Sequence, residues 1–198
     1  MATDTESVEL VGAETATNLA RAALLAALTG ALALVGSVPI PLSPAPLSLQ
    51  PLGVFLAGLL LGARWGSVSM LLYLLVGGLG APVFANGASG FGTLVGGTGG
   101  YLWGYVLAAA VIGAVTYGGL RPGDLTTVGV GRQVAALAAG TLVIYAAGVV
   151  GLVVVLSLSP TEAVVQGALV FLPGEALKMA GAVALVRSDE LARVAGAE

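Results

Sequence analysis

Lys178 is the one lysine of the chain, and it stands three residues after Glu175 in the segment FLPGEALK (Phe171 to Lys178), near the middle of an apolar run from Ala163 to Val186. That run is long enough for a membrane helix, because about 20 residues rising 1.5 Å each cross the hydrocarbon layer. A cationic side chain near the bilayer centre costs at least about 2.5 to 3.5 kcal/mol, so its presence needs a reason. One reason is a ligand or ion site with Lys178 as its cation. The plainer one is an intrahelical pair in which Glu175 and Lys178 neutralise each other. Apolar residues at both positions would avoid the desolvation cost altogether, which favours the site.

Other chemistry is largely excluded. The chain has neither Cys nor His, so disulfides, Cys or His metal sites and histidine-assisted nucleophiles are ruled out within it, and no metal site is expected. GASG (Gly87 to Gly90) resembles a serine nucleophile turn but has no usual base, and Asp124 and Asp189 fall outside the apolar runs. The glycine-rich GGTGGY (Gly96 to Tyr101) lacks the Lys and Ser or Thr of a phosphate-binding loop. The chain is therefore expected to be neither an enzyme nor an ATPase, and to need no cofactor. One buried acid and no visible internal repeat also make a poor ion-coupled carrier, so a transporter built on this chain would draw its energy from a partner.

These groups must be held by helices. With 58% hydrophobic and 9% charged residues in 198, the chain lacks the polar surface of a soluble domain and is expected to be an all-α integral membrane protein. Breakers divide it into six spans, roughly 19–38, 50–63, 65–80, 100–118, 132–157 and 161–187, forming one membrane domain over 19–187 between an acidic tail, 1–18, and a short tail, 188–198. The N-terminus lacks the basic start of a signal peptide, so the first apolar stretch should remain as a helix. The acidic residues Asp4, Glu6, Glu9, Glu14, Asp189, Glu190 and Glu198 concentrate at the two ends, and nothing suggests a nucleic-acid surface.

Two connections are long for so small a bundle. Pro39 to Gln50 holds four of the nine prolines and should run extended, while Ala81 to Gly99 is rich in glycine. In an even-numbered bundle Arg21, Arg64, Arg121, Arg132, Arg187 and Arg193 fall on one face, which the positive-inside rule makes cytoplasmic along with both termini. Both long loops then cover the outer face.

Binding is what the remaining polar residues can do. Pro173 and Gly174 should interrupt the last span just before the charged pair, loosening the backbone there. Gln50 and Asn86, at the two outer loops, could bond a neutral polar group. Tyr73, Phe84, Phe91, Tyr101, Trp103 and Tyr105 cluster in the middle of the chain as packing, interface anchors or a ligand wall; Tyr101 and Phe91 stand nearest the glycine-rich loop. In the first span Ala22, Ala23, Ala26, Ala27, Gly30 and Ala31 form a stripe of small residues suited either to packing within the bundle or to docking a partner.

Four segments in order, SLQPLGVFLAGLLLGARWG (Ser48 to Gly66), LLYLLVGGLGAPVFANGASG (Leu71 to Gly90), GGTGGYLWGY (Gly96 to Tyr105) and FLPGEALK, resemble the biotin-specific S component of energy-coupling-factor transporters, the BioY family. The resemblance runs from about Ala22 to Val186. It implies a six-helix protein in the cell membrane that captures biotin from outside and works with a transmembrane coupling subunit and two ATPases. It also implies ligand contact by Glu175 and Lys178, and partner docking by the first-helix stripe. Glu175 and Gly97 depart from the family's usual Asp and Pro. These departures leave open another small vitamin as ligand; a ligand-free assembly protein is the reading from a different class.

Overall fold

The computed structural model of the chain describes residues 12–188. The acidic positions Asp4, Glu6, Glu9, Asp189, Glu190 and Glu198, together with Arg193, lie outside the described residues. Helices make up the described part: α1 (Ala13–Val35), α2 (Gln50–Gly78), α3 (Phe91–Leu94), α4 (Gly99–Tyr117), α5 (Val130–Leu156), α6 (Pro160–Gly167) and α7 (Leu172–Val186). No strand is formed among the described residues beyond one isolated antiparallel bridge, Val38 with Leu47. Five segments are long and apolar enough to cross a membrane: α1, α2, α4, α5 and the composite Pro160–Val186. The helix α1 starts ahead of the expected Leu19, because Glu14 favours the positive end of the helix dipole and the short polar residues that follow do not break the turn.

Two of the expected spans, 50–63 and 65–80, lie in one element, α2. Its backbone leaves the helical region at Gly62 (φ 70°, ψ −173°), a conformation that only glycine adopts without strain. Beyond that point the chain turns back on itself. A Cβ placed on Gly66 would stand 2.9 Å from the carbonyl oxygen of Ala57, and Tyr73 reaches Gln50, approaches that a continuous helix forbids between residues so far apart. Close to the break, the Leu59 carbonyl accepts the Tyr117 hydroxyl at 2.5 Å.

The last apolar run is also interrupted, but earlier than its sequence suggests. The break lies at Ala168 (φ −134°, ψ −61°) and the 3₁₀ turn Leu169–Phe171 that follows it. Pro173 stands in the first turn of α7, where a missing N–H removes no helical bond. It starts a helix rather than breaking one. The other end of the interruption is firm: Ser159 and Glu162 close a reciprocal capping box at the start of α6.

Glycine sets the helix spacing. A Cβ on Gly58 of α2 would come within 2.6 Å of the Ile112 Cβ on α4, and one on Gly113 would overlap the Ala63 backbone. Between α4 and α5, Gly104 lies against the Ile144 backbone. Lipid is as apolar as a side chain, so helices in a bilayer gain by such close approach rather than by burial from water.

The stripe on α1 divides into two columns. Ala22, Ala26 and Gly30 are buried against α2 and the loop that follows it, where the Ala22 carbonyl accepts the Ser69 hydroxyl at 2.8 Å. Ala23, Ala27 and Ala31 are exposed.

Candidate functional site

The two long connections, 36–49 and 79–98, lie over one end of the bundle and roof a cavity of about 300 Å³. The first is the more extended of the two, as its prolines require, and is closed on itself by the paired N–H···O bonds of Val38 and Leu47 at 2.8 and 2.9 Å. The second carries a 3₁₀ turn, Ala85–Gly87, and the short α3. Elements far apart in sequence meet here. Ser48 and Gln50 come from the foot of the first loop, Phe84 and Asn86 from the second, Tyr101 and Tyr105 from α4, Tyr145 from α5, and Phe171, Glu175 and Lys178 from the last segment.

Lys178 and Glu175 are both buried and both line the cavity. The ammonium group bonds the Glu175 carboxylate one turn away and also donates to the Ser48 carbonyl oxygen at 2.7 Å, across 130 residues of sequence. The plain intrahelical pairing is thus present, and it is one part of a larger arrangement. Glu175 Oε1 also accepts the Tyr145 hydroxyl at 2.9 Å. Its second oxygen, Oε2, is buried with no protein partner. An unpaired carboxylate oxygen beside a cavity is an acceptor held ready for a donor.

Gln50 is buried, its Oε1 accepting the Ser48 hydroxyl at 2.9 Å and its Nε2 donating to the Tyr73 hydroxyl. Asn86 borders the mouth of the cavity with an exposed side chain, its backbone left-handed at φ 57°. Asparagine tolerates that conformation better than most residues. Tyr101 forms wall: its ring lies over Gly148, where any side chain would overlap it, and its hydroxyl donates to the Gly167 carbonyl at 2.7 Å. Phe91 is not brought in. It is 67% exposed on α3, and Phe84 takes the inward place, seated in the notch left by Gly77. Trp103 also points outward, whereas Tyr105 lines the cavity.

Tyr145, whose position attracted no notice in the sequence, and Phe171, which opens the segment FLPGEALK without being singled out as a contact, also line the cavity. Their rings stack at 6.1 Å between centroids, and Tyr101 meets Tyr145 edge-on at 6.2 Å. Tyr145 is the single aromatic residue of α5, a signal that could have found it. Asp124 takes no part. It is exposed on the connection between α4 and α5, and hydrogen bonds from Thr126 hold its carboxyl below the usual carboxylate range.

The cavity therefore offers a cation, an unpaired buried carboxylate oxygen, two amide side chains and flat aromatic walls. A small molecule with N–H donors, an acidic or carbonyl group and an apolar body matches that inventory. Nothing in it resembles a nucleophile with an adjacent base.

Residues 4–194 match the BioY family. The biotin transporter BioY of Rhizobium etli is 35% identical over 172 residues, covering 86% of this chain and 91% of the relative. The biotin transporter BioY of Thermotoga maritima is 49% identical over 84 residues, covering 42% of this chain and half of that protein. Among solved structures, the S component for biotin from an ECF-type ABC transporter superposes with a TM-score of 0.79 at 24% identity, covering 90% of this chain and 93% of the other, so the fold is shared.

Proposed function

Because the chain belongs to the BioY family, we propose that it is the biotin-binding membrane subunit of an energy-coupling-factor transporter. The observation that carries this reading is the Glu175–Lys178 pair beside the loop-roofed cavity, with one carboxylate oxygen still unpaired. Biotin has a carboxylate, an aliphatic chain and a neutral ureido ring. Glu175 Oε2 suits a ureido N–H, Lys178 suits an anionic or carbonyl oxygen, and the rings of Tyr145, Phe171 and Tyr101 suit the apolar body. Gln50 and Asn86 supply further hydrogen bonds. Phe91 has no part in this pocket.

Counting the two halves of α2 separately gives six membrane helices, and three features support that count: the break at Gly62, the approach of Gly66 to Ala57, and the bond between Tyr73 and Gln50. Arg64, Arg121, Arg132 and Arg187 gather at the end away from the cavity, where Arg187 bonds the Val128 carbonyl and Pro122 packs on Gly62. By the positive-inside rule that end and both terminal tails are cytoplasmic, and the roofing loops face outward. The sequence holds no phosphate-binding loop, so a transporter built on this chain draws its energy from partners; membership of the family implies that these are a membrane coupling subunit and two ATPases. The exposed column Ala23, Ala27 and Ala31 is where a partner helix would seat.

The test is biotin retention by the purified chain in lipid nanodiscs, measured against a panel of other small vitamins. Biotin should be retained by the chain alone. Folded protein that fails to retain it at high micromolar concentration counts against the reading, and preference for another vitamin reassigns the ligand. Uptake into liposomes should require the partners and ATP, and Ala27→Trp should abolish uptake while leaving retention intact.

A further inference from the structure

The Tyr73 hydroxyl lies where the two roofing loops meet, although Tyr73 is not part of the cavity wall. It accepts the Gln50 amide at the foot of the first loop and donates to the Val83 carbonyl, at 2.9 Å, at the root of the second. The chain of bonds continues through Gln50 Oε1 to the Ser48 hydroxyl, and the backbone carbonyl of Ser48 accepts Lys178. One connected series thus joins the second loop, the first loop and the cation of the site.

The directions of these bonds are constrained. A hydroxyl has a single proton, and once Tyr73 gives its own to a carbonyl it can only accept from Gln50. That places the NH₂ of the Gln50 side chain toward Tyr73 and its oxygen toward Ser48. The amide orientation is therefore imposed by a residue outside the cavity. The ring of Tyr73 is itself fixed edge-on against Phe84, with centroids 5.4 Å apart, and Phe84 lines the cavity.

We propose that Tyr73 is a positioning residue that latches the two loops over the cavity and sets which face of the Gln50 amide the ligand meets. The ligand half of this proposal rests on the biotin reading above; the latch between the loops does not. Removing the hydroxyl opens the roof, so bound ligand should escape faster while its entry is little changed.

The experiment compares the wild type with Tyr73→Phe, which keeps the ring, and with Gln50→Leu. In ligand-free protein in nanodiscs, hydrogen–deuterium exchange should rise in Tyr73→Phe at both 36–49 and 81–88. With biotin, its dissociation should quicken about tenfold, the scale of two modest hydrogen bonds lost together, with the association rate within about twofold. On the Gln50→Leu background, Tyr73→Phe should add nothing further to exchange in the first loop, because the connection is already cut. A purely structural role would instead give effects that multiply. Unchanged exchange in the first loop of Tyr73→Phe overturns the latch. Equal biotin dissociation in wild type and variant overturns the effect on the ligand. Wild-type protein that binds no biotin bears against the function proposed above, and the exchange result still decides the latch.

Discussion

The two ends of the bundle bury polar groups in opposite ways. At the loop-covered end, Ser48, Gln50, Tyr73, Tyr145, Glu175 and Lys178 bond to one another or to backbone, and the buried Glu175 Oε2 beside the cavity lacks a partner. Toward the other end, Thr116 and Gln133 each keep a buried oxygen without a partner, on helices packed closely against one another. Burial of a polar group in a membrane protein is thus not by itself a sign of function. What separates the regions is connection: groups that share bonds around a space can answer a ligand together, whereas isolated orphans only carry a local cost.

The largest effect expected from this contrast lies at the charged pair. Lys178→Met should leave the Glu175 carboxylate buried without its cation, costing about 3 to 5 kcal/mol of stability. Thermal melting should show this loss, and the double variant Lys178→Met/Glu175→Leu should recover most of it. Biotin affinity should nevertheless remain about 100-fold or more below wild type in the double variant, measured by calorimetry. A double variant that is stable and still binds normally would make the pair structural.

A smaller effect belongs to the packed region. Gly113→Ala pushes a methyl group into the Ala63 backbone, which has little freedom to yield, so stability should fall by about 1 to 3 kcal/mol. Whatever folds should bind biotin as before, because the crossing of α2 and α4 at Gly113 is remote from the pair. Smallest of all is Thr116→Val. Replacing an unpartnered buried hydroxyl by a methyl group should change stability by no more than about 1 kcal/mol, in the favourable direction, with binding untouched. A clear loss of binding in Thr116→Val would break the distinction between the two ends.

The sequence made the charged pair legible because a lone lysine amid leucine, valine and alanine has few cheap explanations. It also ended the second apolar run at 63, one residue beyond the break at Gly62. Other features depend on who packs against whom. Phe84 and Phe91 look alike in a glycine-rich loop, and the notch at Gly77 decides that Phe84 turns inward. Tyr145 and Phe171 are stacked by the packing of α5 against the last segment, which no local spacing encodes. Pro173 read as a helix breaker because its effect depends on whether a helix already precedes it; here the 3₁₀ turn comes first and the proline opens α7. The α1 stripe showed two adjacent columns of small residues with nothing to choose between them until α2 covered one.

The backbone-to-backbone crossings of α2, α4 and α5 have a wider bearing. Helices seated this closely offer no seam along which half of the molecule could slide past the other, since packed interiors switch between discrete arrangements and do not deform continuously. Any movement of α4 would therefore carry α2 and α5 with it as one body, and the cavity walls they supply would keep their shape.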